Sequence, residues 1–214
     1  MKITGLLLLL IATITTAGYF FWNKPKFDLA SKKYSFHVKA NNANTITELR
    51  LKDKAATIRK YVAAVNYNTT VCFMIDMKIS SGKKRFFVYN LEKDSVEMSG
   101  LVTHGSGSDK ADTACFFSNT TGSLCTSLGK YKVGKPYNGR FGLAYKLYGL
   151  DKTNNHAFER FVVLHSHYCI PDAEVYPEPI CQSWGCPTVS PTFLKSLKKY
   201  IDHSEKPILL NIYD

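Results

Sequence analysis

Two short stretches near the end of this 214-residue chain gather three of its six cysteines and two of its six histidines. LHSHYC, from Leu164 to Cys169, carries two histidines and a cysteine, and CQSWGCP, from Cys181 to Pro187, carries two more cysteines. Cysteine attacks an acyl carbon as the thiolate, so a nucleophilic cysteine needs a base within hydrogen-bond reach and backbone amides to receive an oxyanion. Cys186 fits that requirement. It follows Gly185, which permits a tight turn and a close approach of substrate. It also precedes a helix start at Ser190, whose partly positive end favours an anion. His165, closing a run rich in valine and leucine, is the candidate base, with His167 as a second imidazole nearby.

Other chemistries compete for the same residues. In a strand, His165, His167 and Cys169 share one face, and Cys181 and Cys186 would complete a tetrahedral zinc set. Against zinc, the CxxxxC spacing is wide and no carboxylate stands beside the histidines to orient them. Disulfides are the third option. Cys115 with Cys125, and Cys169 with Cys181, lie close enough to close loops in an oxidising compartment, although order alone does not fix pairing. Cys72, inside an apolar run, reads as a core thiol.

The elements that must position these residues read as mostly β. Ala55, Ile58, Val62 and Val65 recur at helical spacing behind Asp53, which predicts a helix capped by Asp53 and running to Val65. The period then becomes two: VCFMIDMKI sets Val71, Phe73, Ile75, Met77 and Ile79 on one face with Asp76 and Lys78 opposite, a half-buried strand. RFFVYN and VEMSGLV continue it as a meander. After Gly105 the text is glycine-rich and reads as loop, until RFGLAYKLY and RFVVLH, with PILLNIY as a closing strand. Before that strand, Ser190 as N-cap and Pro191 at the first helical position open a helix with Phe193, Leu194, Leu197, Tyr200 and Ile201 on its buried side. The expected architecture is a sandwich or open barrel with one helix before it and one near the C-terminus.

Charge and the N-terminus narrow the setting. The net charge of +11 favours anionic partners. Nucleic acid is not among them, because the basic residues are scattered as pairs and no finger, basic-region or RNP-type pattern occurs. Residues 3–22 are uncharged over about the twenty positions that a spanning helix requires, so residues 1–22 read as a signal peptide or membrane anchor. Residues 23–44 then read as a tether and residues 45–214 as the working domain, exported from the cytoplasm.

With His165 and Ser166 followed by Ser183, Trp184, Gly185, Cys186 and Pro187, the chain resembles the L,D-transpeptidase (YkuD-like) family, in particular its murein L,D-transpeptidase catalytic domain branch. FFSNTTGSLCTSLGKY and GRFGLAYKLYGLDKTNNHAFER are similar to the same branch. The resemblance implies an L,D-transpeptidase-like fold and a cysteine acyltransferase of the bacterial cell envelope, acting on peptidoglycan stem peptides with no cofactor. It implies Cys186 as nucleophile, His165 as base and the Ser166 carbonyl as the group that fixes the imidazole tautomer. The oxyanion and substrate-binding set it implies is Gly185, Trp184, Ser183, His167 and Arg160. The chain departs from the family where Trp184 replaces a histidine and Thr188 an arginine, and in a longer spacing from His165 to Cys186.

Overall fold

The computed structural model describes residues 45–108 and 116–214. In chain order it contains helix α1 (residues 45–64) and strands β1 (Val71–Asp76), β2 (Phe86–Asn90), β3 (Ser95–Gly100), β4 (Gly129–Gly139), β5 (Gly142–Gly149), β6 (Val163–Ser166) and β7 (Thr188–Val189). Helix α2 (Pro191–Asp202) and strand β8 (Leu209–Tyr213) complete it. The eight strands form one mixed sheet in the order β3-β2-β1-β8-β4-β5-β6-β7. β1 runs parallel to β8 and β6 parallel to β7, and the other neighbours are antiparallel. Chain contacts divide the protein into residues 1–51 and 52–214, and the description below concerns the second unit.

The strand alternation decides what the core contains. Phe73 and Ile75 of β1, Phe86 and Val88 of β2, and Leu210 and Ile212 of β8 point to one side, where α2 lays down Phe193, Leu194 and Leu197. Burying a side chain of this size contributes about 1.5–3 kcal/mol each. Phe193 meets Phe86 edge-on, with centroids 5.3 Å apart, and lies so close to Gly100 that a Cβ there would fall 2.7 Å from its ring. Ser190 caps α2 by accepting from Phe193 N, and its own hydroxyl donates to Asp172, so the anion at this helix end is a carboxylate of the chain.

The two edges of the sheet come together. Beyond β3 the chain runs alongside β7, with Thr103 N donating to Thr188 O at 3.0 Å and Thr188 N to Thr103 Oγ1 at 3.1 Å. Gly105 bridges to Ser183 in parallel sense. The sheet therefore closes on itself as an open barrel does, and the closing seam passes through the CQSWGCP loop.

Several sequence expectations change. β1 ends at Asp76 and is buried on both faces, because its other face, with Cys72 and Met74, lies on the side where Arg59 and Lys54 of α1 reach Leu91 and Tyr213. α1 starts well before Asp53, which is an interior helical residue whose carbonyl accepts from Thr57. β4, the longest strand, occupies text that reads as loop; Gly134 and Pro136 interrupt its pattern at a bulge between Val133 and Pro136. The apolar run 3–22 lies outside the described residues, and no helix among those described is long and apolar enough to cross a membrane.

Candidate active site

β6 and β7 bring the two stretches together, since His165 pairs with Thr188 across the parallel ladder, two residues beyond Cys186. A cavity of about 210 Å³ opens there, lined by Cys186, His165, His167, Trp184, Thr188 and Phe141 among others. His165 is buried and fixed at both nitrogens. Its Nδ1 lies 3.1 Å from Ser166 O, and a carbonyl only accepts, so Nδ1 carries the proton and Nε2 the lone pair. Thr188 Oγ1 stands 3.0 Å from Nε2 and donates to it. Phe141, at the tip of the β4–β5 hairpin, stacks on the imidazole with centroids 5.2 Å apart. Burial lowers the His165 pKa below the usual imidazole value, the Ser166 carbonyl acts in the opposite sense, and His167 adds to the lowering.

His167 is held differently. Its Nδ1 lies 3.2 Å from Cys169 N, a donor, and 2.9 Å from the Cys169 disulfide sulfur, which can only accept, so the two contacts call for opposite tautomers and fix neither. Of the two histidines, His165 is the one whose Nε2 lone pair is set by a carbonyl at Nδ1.

Cys186 is half-buried, and its Sγ lies 3.7 Å from Phe161 O, at the chain entering β6. Burial raises the thiol pKa, while the Val163 backbone and then the Arg160 guanidinium pull it back down. A raised thiol and a lowered imidazole describe a neutral resting pair. The Cys186 carbonyl accepts from Ser183 Oγ at 2.7 Å and Thr103 Oγ1 at 3.1 Å, which fixes the loop. Gly185 has φ +108°, and a Cβ there would fall 2.7 Å from Cys125 O, so both conformation and space demand glycine.

Three residues expected at the substrate make hydrogen bonds within the chain. The Ser183 hydroxyl is spent within the loop, where it also accepts from Gly185 N at 3.2 Å, so that amide points inward. Arg160 donates from Nη2 to Cys125 O at 2.6 Å and from Nη1 to Ser118 O at 3.0 Å and Ser127 Oγ at 3.2 Å. Its guanidinium is therefore a buttress beneath Gly185 and a nearby positive charge for the thiol. Trp184 remains 75% exposed on the cavity rim. Sequence reasoning missed Phe141, Thr103 and the Thr188–His165 bond. The hairpin text NGRFG was a signal for the first, and the other two arise from chain segments meeting at the seam.

Cys169 and Cys181 form a disulfide, with Cα atoms 6.2 Å apart. The bond removes two of the thiolates that the zinc arrangement requires. Cys125 is a buried free thiol and Cys115 lies outside the described residues; Cys72 is buried, with its thiol pushed up to about 12. The disulfide also accounts for the long spacing from His165 to Cys186. The extra chain is an excursion docked on the β1–β2 turn, with Val175 N and Tyr176 N both donating to Gly82 O and Leu101, Ile170 and Ile180 forming a small core beneath it.

The L,D-transpeptidase catalytic domain family matches residues 42–210. The chain belongs to that family. Among solved structures it is similar to the helical cell shape determining protein Pgp2 from Campylobacter jejuni, with 11% identity over 68% of this chain and 48% of that one and a TM-score of 0.43. It is also similar to an L,D-transpeptidase from Xylanimonas cellulosilytica (16%, 72% and 68%, TM-score 0.39) and one from Mycobacterium smegmatis (12%, 68% and 59%, TM-score 0.39). The chain spans about half the length of the Pgp2 chain it matches. No curated protein matches it.

Proposed function

We propose that this domain is a cysteine acyltransferase acting on peptidoglycan stem peptides, with Cys186 as nucleophile and His165 as base. The observation that carries this reading is the fixed His165 tautomer, Nδ1–H on the Ser166 carbonyl and Nε2 in the cavity shared with the Cys186 thiol. Because both groups rest neutral, proton transfer awaits substrate. The incoming peptide displaces the Thr188 hydroxyl from Nε2; that hydroxyl has a second acceptor in Cys186 O, 3.4 Å away. The thiol turns from Phe161 O, His165 takes its proton, and the thiolate attacks the amide joining the third stem residue to D-alanine.

Collapse of the tetrahedral intermediate breaks the C–N bond, and His165 returns the proton to the departing D-alanine amine. The thioester on Cys186 then transfers to the amine of a second stem, giving a 3-to-3 cross-link, or to water, giving trimming. With the Gly185 amide directed at Ser183, oxyanion stabilisation falls to the Cys186 amide together with whatever donors substrate binding brings. Arg160 supports the thiolate by charge and by holding the carbonyl on which Gly185 rests. The setting is the cell envelope, reached through residues 1–22.

Incubation with purified muropeptides followed by mass spectrometry tests this directly. Loss of D-alanine with a cross-linked or trimmed product, absent in Cys186→Ala, is the expected result. Unchanged muropeptides that still bind would reduce the domain to a peptidoglycan-binding relative.

A further inference from the structure

We propose that the outer face of β4 and β5 carries a second binding site, for a carboxylate-bearing peptide strand of the polymer substrate; the identity of that polymer rests on the function proposed above. Among the described residues the cavity at Cys186 is lined by no lysine or arginine, and Arg160 is committed to the chain's own carbonyls. The cations are next door. A cavity of about 710 Å³ is lined by Lys132, Lys135, Lys146 and Lys206 together with Tyr137 and Tyr148.

Two of its four lysines rest on rings. Lys132 Nζ lies 4.7 Å from the Tyr148 centroid, and Lys146 Nζ lies 5.1 Å from that of Phe158 and 5.8 Å from that of Tyr137. Tyr148 and Phe158 are themselves stacked at 5.3 Å. Resting an ammonium on an aromatic face restricts a long side chain before any ligand arrives, which reduces the ordering cost of binding. Among the described residues none of the four lysines forms an ion pair, so each is available to an anion. Of the two carboxylates on the rim, Asp202 is held by Lys198, and Glu205 alone opposes four ammoniums.

Register ties this groove to the reactive site. Tyr137, Ala144 and His165 lie in one row across β4, β5 and β6, and Lys146 follows two residues beyond Ala144 on the same face. Strands lie about 4.8 Å apart, so Tyr137 is about 10 Å from His165, and Lys146 is about 7 Å along β5 from that row. An extended peptide of three or four residues covers about 10–14 Å. One stem at Cys186 and its neighbour on the lysines therefore fit within a single short stretch of polymer.

The test uses the full chain with Cys186→Ala, so that nothing turns over, and three proteins: this parent, the parent with Lys132→Gln and Lys146→Gln, and the parent with Lys60→Gln and Lys93→Gln, two exposed lysines elsewhere. Binding of poly-L-glutamate, polyphosphate, purified muropeptides and carboxyl-amidated muropeptides is measured at several salt concentrations. The groove variant should bind poly-L-glutamate and muropeptides about tenfold more weakly, with an unchanged melting temperature. The control variant should bind like the parent, and amidated muropeptides should bind the parent as weakly as unmodified ones bind the groove variant. Equal affinity of parent and groove variant for poly-L-glutamate overturns the site. Preference for polyphosphate, with no effect of amidation, overturns the carboxylate assignment. If poly-L-glutamate binding depends on the groove but no muropeptide binds the parent, the anion site stands and the peptidoglycan reading falls.

Discussion

Two imidazoles share the rim of one cavity, and the hydrogen bonds at their Nδ1 atoms divide them. His165 donates its Nδ1 proton to Ser166 O, which leaves Nε2 with the lone pair a base needs, whereas the contacts of His167 Nδ1 to Cys169 N and to the disulfide sulfur set no tautomer. His165→Ala should lower kcat/KM by about 10²–10⁴-fold, and His167→Ala far less; comparable losses would contradict the assignment. The acid limb of the pH profile should fall below the usual imidazole value, because burial depresses the His165 pKa and activity needs the neutral ring. The thiol shifts the other way. Iodoacetamide should alkylate Cys186 with a midpoint above the ordinary thiol value, and Arg160→Met should move that midpoint higher by removing a stabilising positive charge. A midpoint unchanged by Arg160→Met would leave the arginine a purely structural buttress. At this scale Cys186 and His165 stood out as a candidate couple because they lie within two short motifs, and the contact of His165 with the Ser166 carbonyl was implied by the family resemblance. Thr188, Phe141 and the occupation of Arg160 were not, since each depends on chain segments far apart in sequence.

The elements show the same division between local and distant information. The meander, the body of α1, and α2 with its cap at Ser190 follow from period and end signals that reside in a few neighbouring residues, whereas the start expected for α1 at Asp53 does not hold. β4 was illegible because Gly134 and Pro136 fall within it, and only pairing with β5 and β8 makes an eleven-residue strand of that text. β7, two residues long, exists through its pairing with β6. The Cys169–Cys181 bond was one of several permitted pairings, and it now has a purpose: it closes the excursion that delivers CQSWGCP to the seam. Replacing both cysteines by serine should lower stability by about 3 kcal/mol, read as a fall in Tm, because the open loop regains freedom in the unfolded chain. The same variant should lose activity at temperatures where it is still folded, since both cysteines line the cavity and the bond between them holds its wall. An unchanged Tm would mean that the excursion is held by its docking on Gly82 alone.

The unit of residues 52–214 is built on a sheet whose two edges meet, and the loop that carries Cys186 lies on the seam. That arrangement lets Thr103, beyond one edge, hold the Cys186 carbonyl and the Thr188 backbone at the other. Chemistry placed there is supported from both ends of the chain's core. The central claim is that Cys186 becomes acylated with His165 as its base. A carbapenem tests it in one step, because a strained β-lactam carbonyl offers the thiolate an acyl donor whose ring opening resists reversal. Intact-mass measurement should find one adduct per chain, absent in Cys186→Ala and formed far more slowly in His165→Ala. An adduct that persists in Cys186→Ala would contradict the account. So would folded protein with reduced Cys186 that forms no adduct and leaves muropeptides unchanged.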